Sequence, residues 1–394
     1  MKKLYFLLIL ISGLASAQII NFPDANFKAA LLNASSSNST ASGPSGHVAV
    51  DTNADGEIQM SEAMVITGLQ FQSGGITDFS GIENFSNLAY FGSHSNSAIN
   101  INLNGMTQLQ SISISVNNAP GSLVFSNLPS LVYFNYYYSG VNSLILDNLS
   151  NVTVVNVYGN SQMHTLNLIG LTSLNRLWAY DGVINSLAIT DSPLATEINL
   201  RNNSIPSVNI TNYPLLKKLN LSQNNISDTS GFTNLNNLEE LNIQGNQISN
   251  LVLPNSLPAL KWLTVGSNGF TTIDLSGYPS LTSLSVNNNG LTSIDFSNNP
   301  LISQLHVGGN PITSLDLSNL PLLSYFTCWE TLLTELDLSH NPLISSINYV
   351  DTPYLTHINF QSGMVNTINS GDSWYYNLDA LQYICVDVGD TFTY

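Results

Sequence analysis

Apolar residues recur along this chain in the order LxxLxLxxN, and the order returns every 21 or 22 residues. The copies begin at Ile66, Leu88, Leu109, Leu131, Val152, Leu174, Ala195, Leu216, Leu238, Leu260, Leu281, Ile302, Leu323 and Ile344. Within a copy, the two-residue alternation predicts a short strand with its apolar side chains on one face and its polar ones on the other. A unit this short cannot enclose a core alone. Fourteen copies at a fixed period therefore predict coils stacked along one axis, each burying its apolar residues against the next. The second half of the copy, as in LTSIDFSNNP at 291–300 and ITSLDLSNLP at 312–321, carries another brief alternation and a proline-closed turn. Too little chain remains there for a helix, so extended or irregular segments are expected.

The turn after the strand holds Asn in nine of the fourteen copies: Asn96, Asn117, Asn160, Asn203, Asn224, Asn246, Asn268, Asn289 and Asn310. A side-chain amide at a recurrent turn bonds backbone groups that stacking buries, which makes this a structural ladder. Upstream, Pro23 and Asp24 precede a helical pattern at 25–32 with Phe27 and Leu31 one turn apart. That helix suits a cap over the apolar end of the first coil. The Ser-, Asn- and Gly-rich stretch at 33–46 reads as a flexible loop. Residues 1–17 have the order of a secretory signal: two lysines, an apolar run and then Ala15-Ser16-Ala17, with cleavage expected after Ala17. The division expected is thus a signal at 1–17, a cap at 18–65, the solenoid at 66–360 and an irregular segment at 361–394 with a last strand at 381–386. That last segment reads as an incomplete C-terminal cap.

The repeats resemble those of bacterial extracellular leucine-rich-repeat proteins of the internalin-like type, most closely in ITDFSGIENFSNL at 76–88 and ISDTSGFTNLNNL at 226–238. The resemblance covers residues 66–360. It implies a β-rich leucine-rich-repeat solenoid with a parallel concave sheet of about fourteen strands. It also implies a binding or adhesion module, whose ligand is set by the concave residues and not by the fold. Relatives commonly carry a wall-anchoring segment, and none is visible before Tyr394.

Outside the repeats, DTNADGEIQMSE at 51–62 follows the twelve-residue calcium loop of an EF-hand. Asp51, Asn53 and Asp55 occupy its first, third and fifth positions, Gly56 the sharp turn and Glu62 the closing carboxylate. Glu57 offers its backbone carbonyl. Oxygens at alternate positions of a tight loop converge on one point, which is why this spacing suits a hard cation. A structural Ca2+ tying the cap to the first coil is expected, against the alternative of a chance acidic turn.

Reading the outward strand positions as columns locates the remaining chemistry. The last column runs His94, Ser115, Tyr137, Tyr158, Tyr180, Arg201, Ser222, Gln244, with Tyr133 and Trp178 beside it. An aromatic patch with one guanidinium is a candidate ligand surface, the alternative being stacking that only stiffens the sheet. Another column, Arg176, Glu197, Lys218 and Glu240, alternates in sign and reads as a registry device. Asn135, Asn156, Asn199, Asn220 and Asn242 form a central column expected to ladder through their amides.

Charge and composition narrow the partners. The net charge is −17, about −19 once Lys2 and Lys3 are removed, with no basic run to neutralise phosphates, so nucleic acid is excluded. No later apolar stretch reaches the roughly 18 residues that would span a bilayer, so membrane insertion is not expected. The two cysteines, Cys328 expected inside and Cys385 outside, do not staple the fold. No pair of histidines or concave carboxylates has catalytic spacing, and no hydrolase or nucleotide-binding motif occurs, so an enzyme is not expected. The reading is a secreted or cell-surface module that binds a protein or glycan on its concave face. A scaffold component of an extracellular layer is the alternative, and oligomeric state is open.

Overall fold

The computed structural model describes residues 18–116, 121–254, 256–364, 367–369, 378 and 380–393. The signal-like segment, Asn117 and most of residues 361–378 in the irregular segment lie outside them. The chain divides after Ser192 into two compact units.

In the first unit, helix α1 (Ala25–Leu32) starts where the pattern places it. Asp24 caps it: one carboxylate oxygen accepts the N–H groups of Asn26 and Phe27 at 2.8 and 2.9 Å. The other oxygen accepts the Thr77 N–H, the Thr77 hydroxyl and the Asp78 N–H, fastening the helix to the first coil. Phe27 and Leu31 are fully buried, and Phe27 packs edge-on against Phe22, Phe71 and Phe79 at 5.1–5.4 Å. Partial burial opposes ionisation of Asp24, yet the donors from Thr77, Phe27 and Asp78 together hold its carboxyl below the ordinary value. A carboxyl depressed in the folded state contributes stability that is present above its unfolded value of about 4 and is lost as pH falls through the folded value. Asp24→Ala should therefore lower stability by about 1–2 kcal/mol at neutral pH, with the gap from wild type closing in acid. Thermal melts from pH 7 to pH 3 check this, and a gap constant across that range would refute the assignment.

The stretch at 33–46 is not a uniform loop. Its end, Ala41–Gly43, is a strand paired antiparallel with Gly46–His47 on one side and with Gly68–Gln72 on the other. A sheet edge leaves backbone donors and acceptors unpaired, and this hairpin satisfies them where the repeat pattern has no further coil. Apolar alternation is absent from it because backbone pairing, not side-chain burial, holds it.

From Gly68–Gln72 the strands Tyr90–His94, Ser111–Ser115, Tyr133–Tyr137, Val154–Asn156 and Arg176–Trp178 follow in parallel, each residue facing one 21 or 22 positions on. The second halves of these repeats are more regular than their sequence required. Ser122–Ser126, Ser143–Asp147, Thr165–Ile169 and Ser186–Ile189 form a second parallel sheet. Phe125, Leu144, Leu146, Leu166 and Leu168 point from it into the core.

The second unit repeats the plan. Glu197–Asn199, Lys218–Asn220, Glu240–Asn242, Trp262–Thr264, Ser283–Ser285, Gln304–His306, Tyr325–Thr327 and Ser346–Asn348 pair in parallel register. The strand expected at 381–386 is present as Tyr383–Cys385, but it joins Glu335–Asp337 and His357–Asn359 in a separate three-stranded parallel sheet instead of extending the first. Cys328 is fully buried and Cys385 half-buried, and neither is in a disulfide.

The asparagine ladder is structural. Asn310, only 2% exposed, accepts the N–H groups of Asn289 and Leu291 and donates to the carbonyls of Val286 and Val307, stitching one coil to its predecessor. Asn224, Asn246, Asn268 and Asn289 repeat most of this pattern. A second set, Asn299 and Asn341, makes the donor half of this pattern at the opposite turn, donating to Leu275 and Tyr278 and to Leu317 and Leu320.

Candidate functional site

Strand register brings three of the expected aromatic residues into one stack. Tyr137 and Tyr158 lie 5.3 Å apart at 10°, and Tyr158 and Tyr180 lie 5.0 Å apart at 6°. The spacing is close to that of the strands themselves, roughly 4.8 Å, which lets flat rings in one column stack face to face. Both faces of the Tyr158 ring are thereby covered, and what it can offer a partner is its edge and its hydroxyl. Burial, then the neighbouring phenols of Tyr180, Tyr138 and Tyr137, push its pKa above the ordinary value, so the hydroxyl stays a proton donor.

Tyr138, absent from the column reading, packs edge-on against Tyr137 and Tyr158 at 5.9 and 5.4 Å. It occupies a left-handed turn position (φ 51°) and lies over Gly159, where a Cβ would come within 2.5 Å of its ring. Its signal in the sequence was the run of three tyrosines at 136–138, of which the column used one. Tyr133 and Tyr138 are more than half exposed. The guanidinium of Arg176 sits 5.9 Å from the ring centre of Trp178, a cation–π contact. Arg201, the next residue of the column, is exposed and belongs to the second unit. At the other end of this column the His94 ring contacts the Ser115 hydroxyl at 2.7 Å, and burial lowers its pKa.

The other columns behave differently from one another. Lys218 pairs with Glu240 at 3.4 Å in the alternating column. Glu239 one position away bridges Lys217 and Lys261 at 3.5 and 3.0 Å. These side chains are well exposed, and each pair is worth at most about 1 kcal/mol. The central asparagines join only in part. Asn156 donates to Asn135 at 2.7 Å. Asn199, Asn220 and Asn242 instead turn back to accept the N–H two residues on, from Arg201, Ser222 and Gln244. A three-residue strand ends there, so an unpaired local amide outcompetes the neighbour.

The loop at 51–62 folds as a tight, internally bonded turn. The Gly56 N–H donates to Asp51 Oδ2 at 3.0 Å, the Asp55 N–H to Asn53 Oδ1, and the Asn53 and Gln59 amides to Asp55 Oδ2. The Glu57 N–H, opposed by slight desolvation and helped by Asn53, Gln59 and Lys28, holds the Asp55 carboxyl below its usual range. Glu62, 6% exposed, accepts from Thr52 and Asn53 with one oxygen and from the Gln59 N–H with the other, capping helix α2 (Met60–Ala63). The Glu57 side chain reaches away to Lys28 at 2.7 Å. Among the described residues no group of three or more His, Cys, Asp or Glu forms a metal-holding cluster. One atom fits a cation nonetheless: Asp51 Oδ1 is buried without a hydrogen-bond partner. The loop's outer edge, at Ile58 to Met60, is paired with residues 18–20, the Ile20 N–H donating to Ile58 and the Met60 N–H to Gln18.

Residues 214–258 match the family model for leucine-rich repeats in two copies, and residues 331–346 match a single leucine-rich repeat. The repeat is a leucine-rich repeat. Among solved structures, the functional domain of InlJ from Listeria monocytogenes is similar at 18% identity and TM-score 0.52, over 89% of this chain and 82% of that one. The internalin InlF from Listeria monocytogenes is similar at 19% identity and TM-score 0.58, over 90% of this chain and 98% of that one. A plant peptide hormone receptor, RGFR1 in complex with RGF2, gives 16% identity and TM-score 0.51, over 79% of this chain and 61% of that one. No curated protein matches the sequence. These likenesses establish the leucine-rich-repeat solenoid as the fold.

One aromatic group escaped the sequence reading. In the second unit the Trp329 indole lies across Gly308, the His306 ring is 5.1 Å from that of Tyr325, and Trp262 is 44% exposed. Continuing the last column past Gln244 to Gly266, Asn287, Gly308 and Trp329 exposes the signal: two glycines where bulk is expected, and then the largest side chain.

Proposed function

We propose that the protein is an extracellular binding module, without catalytic role, that holds a protein partner against the outward face of its first sheet, with a calcium ion in the cap. The tyrosine stack carries this reading. Rigid aromatic residues with polar tips, flanked by the exposed Tyr133 and Tyr138 and by the Arg176–Trp178 pair, have the composition of protein-binding hot spots. Their side-chain order is fixed by stacking before any partner arrives, which reduces the entropic cost of association. That the plant receptor of similar fold is seen with a peptide hormone fits the same use of a repeat face. Among the described residues no helix is long and apolar enough to cross a membrane.

The test is capture of extracellular proteins by the full chain, repeated with Tyr158→Ala and Trp178→Ala combined. A selective partner is expected to bind the double variant at least about ten-fold more weakly. Retention of every captured protein at wild-type affinity overturns the reading and leaves the ladder as a stiffener of a structural scaffold. For the cap, the ligand order of 51–62 and the orphaned Asp51 oxygen support the ion, with Asp51, Asn53, Asp55, Glu62 and the Glu57 carbonyl as its holders.

A further inference from the structure

The second unit carries a surface of a different chemistry. An ideal Cβ built on Gly308 falls 2.4, 2.5 and 2.6 Å from three adjoining atoms of the Trp329 indole. Near-equal distances to neighbouring ring atoms mean that the ring lies flat across the glycine, and no side chain other than hydrogen would admit it. Trp329 is half-buried, so with one face on Gly308 the surface it shows to solvent is the other face. This is the opposite of Tyr158, whose two faces are both covered.

The charge pattern changes with it. The outward positions of Glu197–Asn199, Lys218–Asn220 and Glu240–Asn242 are rich in charge. From Ser283–Ser285 to Ser346–Asn348 the outward positions carry no Lys, Arg, Asp or Glu; Glu330 and Asp351 come only in the turns that follow. The outward positions of the two strands that lead to Gly308 and Trp329 are Gln304 and His306 on one and Tyr325 and Thr327 on the other. Burial lowers the His306 pKa, and its ring contacts the Thr327 hydroxyl at 3.1 Å, so it stands as a neutral imidazole near pH 7. Amides, hydroxyls and a neutral imidazole offer donors and acceptors without charge. An open indole face offers a flat apolar platform.

We infer that this surface is a binding site for a neutral saccharide. The C–H face of a pyranose stacks on Trp329 over Gly308, and the side chains of Gln304, His306 and Tyr325 exchange hydrogen bonds with hydroxyls of that sugar and its neighbours, while the buried Thr327 hydroxyl holds the His306 ring in place. A ligand of uncharged hydroxyls with one apolar face complements every part of the site, whereas a charged peptide or a phosphate finds no counter-ion on these strands. The site lies wholly in the second unit and is independent of the tyrosine stack.

The experiment is calorimetric titration of the full chain with neutral hexasaccharides: β-linked glucose, β-linked N-acetylglucosamine, α-linked glucose and α-linked mannose. At least one is expected to bind saturably. Trp329→Ala should weaken it ten-fold or more, Trp329→Phe, which keeps a ring over Gly308 and preserves the fold, only several-fold, and Tyr158→Ala should leave it unchanged. The inference is overturned if no hexasaccharide binds, if Trp329→Ala binds as tightly as wild type, or if Tyr158→Ala abolishes binding.

Discussion

Asn310→Ala is expected to cost about 3–5 kcal/mol, because a buried and a part-buried N–H group and two buried carbonyls lose their partner at once. Water cannot replace the amide at a side chain that is 2% exposed. The loss should also be local. Coils in a repeat array are held by their neighbours, so hydrogen exchange is expected to accelerate first around residues 286–310 while the strands of the first unit stay protected. Asn310→Asp, which keeps the acceptor and loses the donor, should be damaging too, since it buries a carboxylate beside two carbonyls. Lys217→Ala supplies the contrast, with an expected change below about 1 kcal/mol. Urea unfolding followed by amide exchange decides the matter: a change of less than 1 kcal/mol for Asn310→Ala would mean that the ladder is incidental to stability.

Glu62 should show two separable effects. Without calcium, Glu62→Ala removes the acceptor for the Thr52, Asn53 and Gln59 N–H groups and is expected to destabilise the cap by about 2–3 kcal/mol. With calcium at about a hundred times its dissociation constant, wild type should gain roughly 2.7 kcal/mol, and the variant nothing. Asp51→Asn separates the two. It retains an oxygen for the Gly56 N–H, so its metal-free melt should stay near wild type, yet it lacks the carboxylate whose Oδ1 has no partner and should lose the calcium gain. Melting curves in excess calcium and in chelator read both effects. Identical wild-type curves in the two conditions would sink the calcium site while leaving Glu62 its structural role.

The spacing of LxxLxLxxN carried the coil, the strand and its register into plain view, since a period of 21 or 22 leaves only one way to align successive leucines. The structural asparagine was visible because it repeats at that period. Asn299 and Asn341 were not, because Tyr278 and Leu320 fill the matching turns of neighbouring coils and break the recurrence. The hairpin at Ala41–Gly43 left no apolar trace because its cohesion is in the backbone. Columns predicted which tyrosines are neighbours, but which ring surface each leaves open depends on side-chain torsions that a column does not contain. Hence Tyr158 and Trp329 look alike in sequence and differ in what they present. The loop at 51–62 was legible as an order of oxygen donors, whereas the commitment of Glu62 to backbone amides arises only once α2 begins at Met60.

Parallel phenol rings at 5.0 and 5.3 Å form a coupled chromophore. Their electronic transitions should mix and give a near-ultraviolet circular dichroism band larger than three separate tyrosines would produce. That band belongs to the Tyr133–Tyr137, Val154–Asn156 and Arg176–Trp178 region of the first unit, whereas the amide band reports the strands of both. Heating while recording the two together therefore dates the melting of one region within the chain, with no label attached.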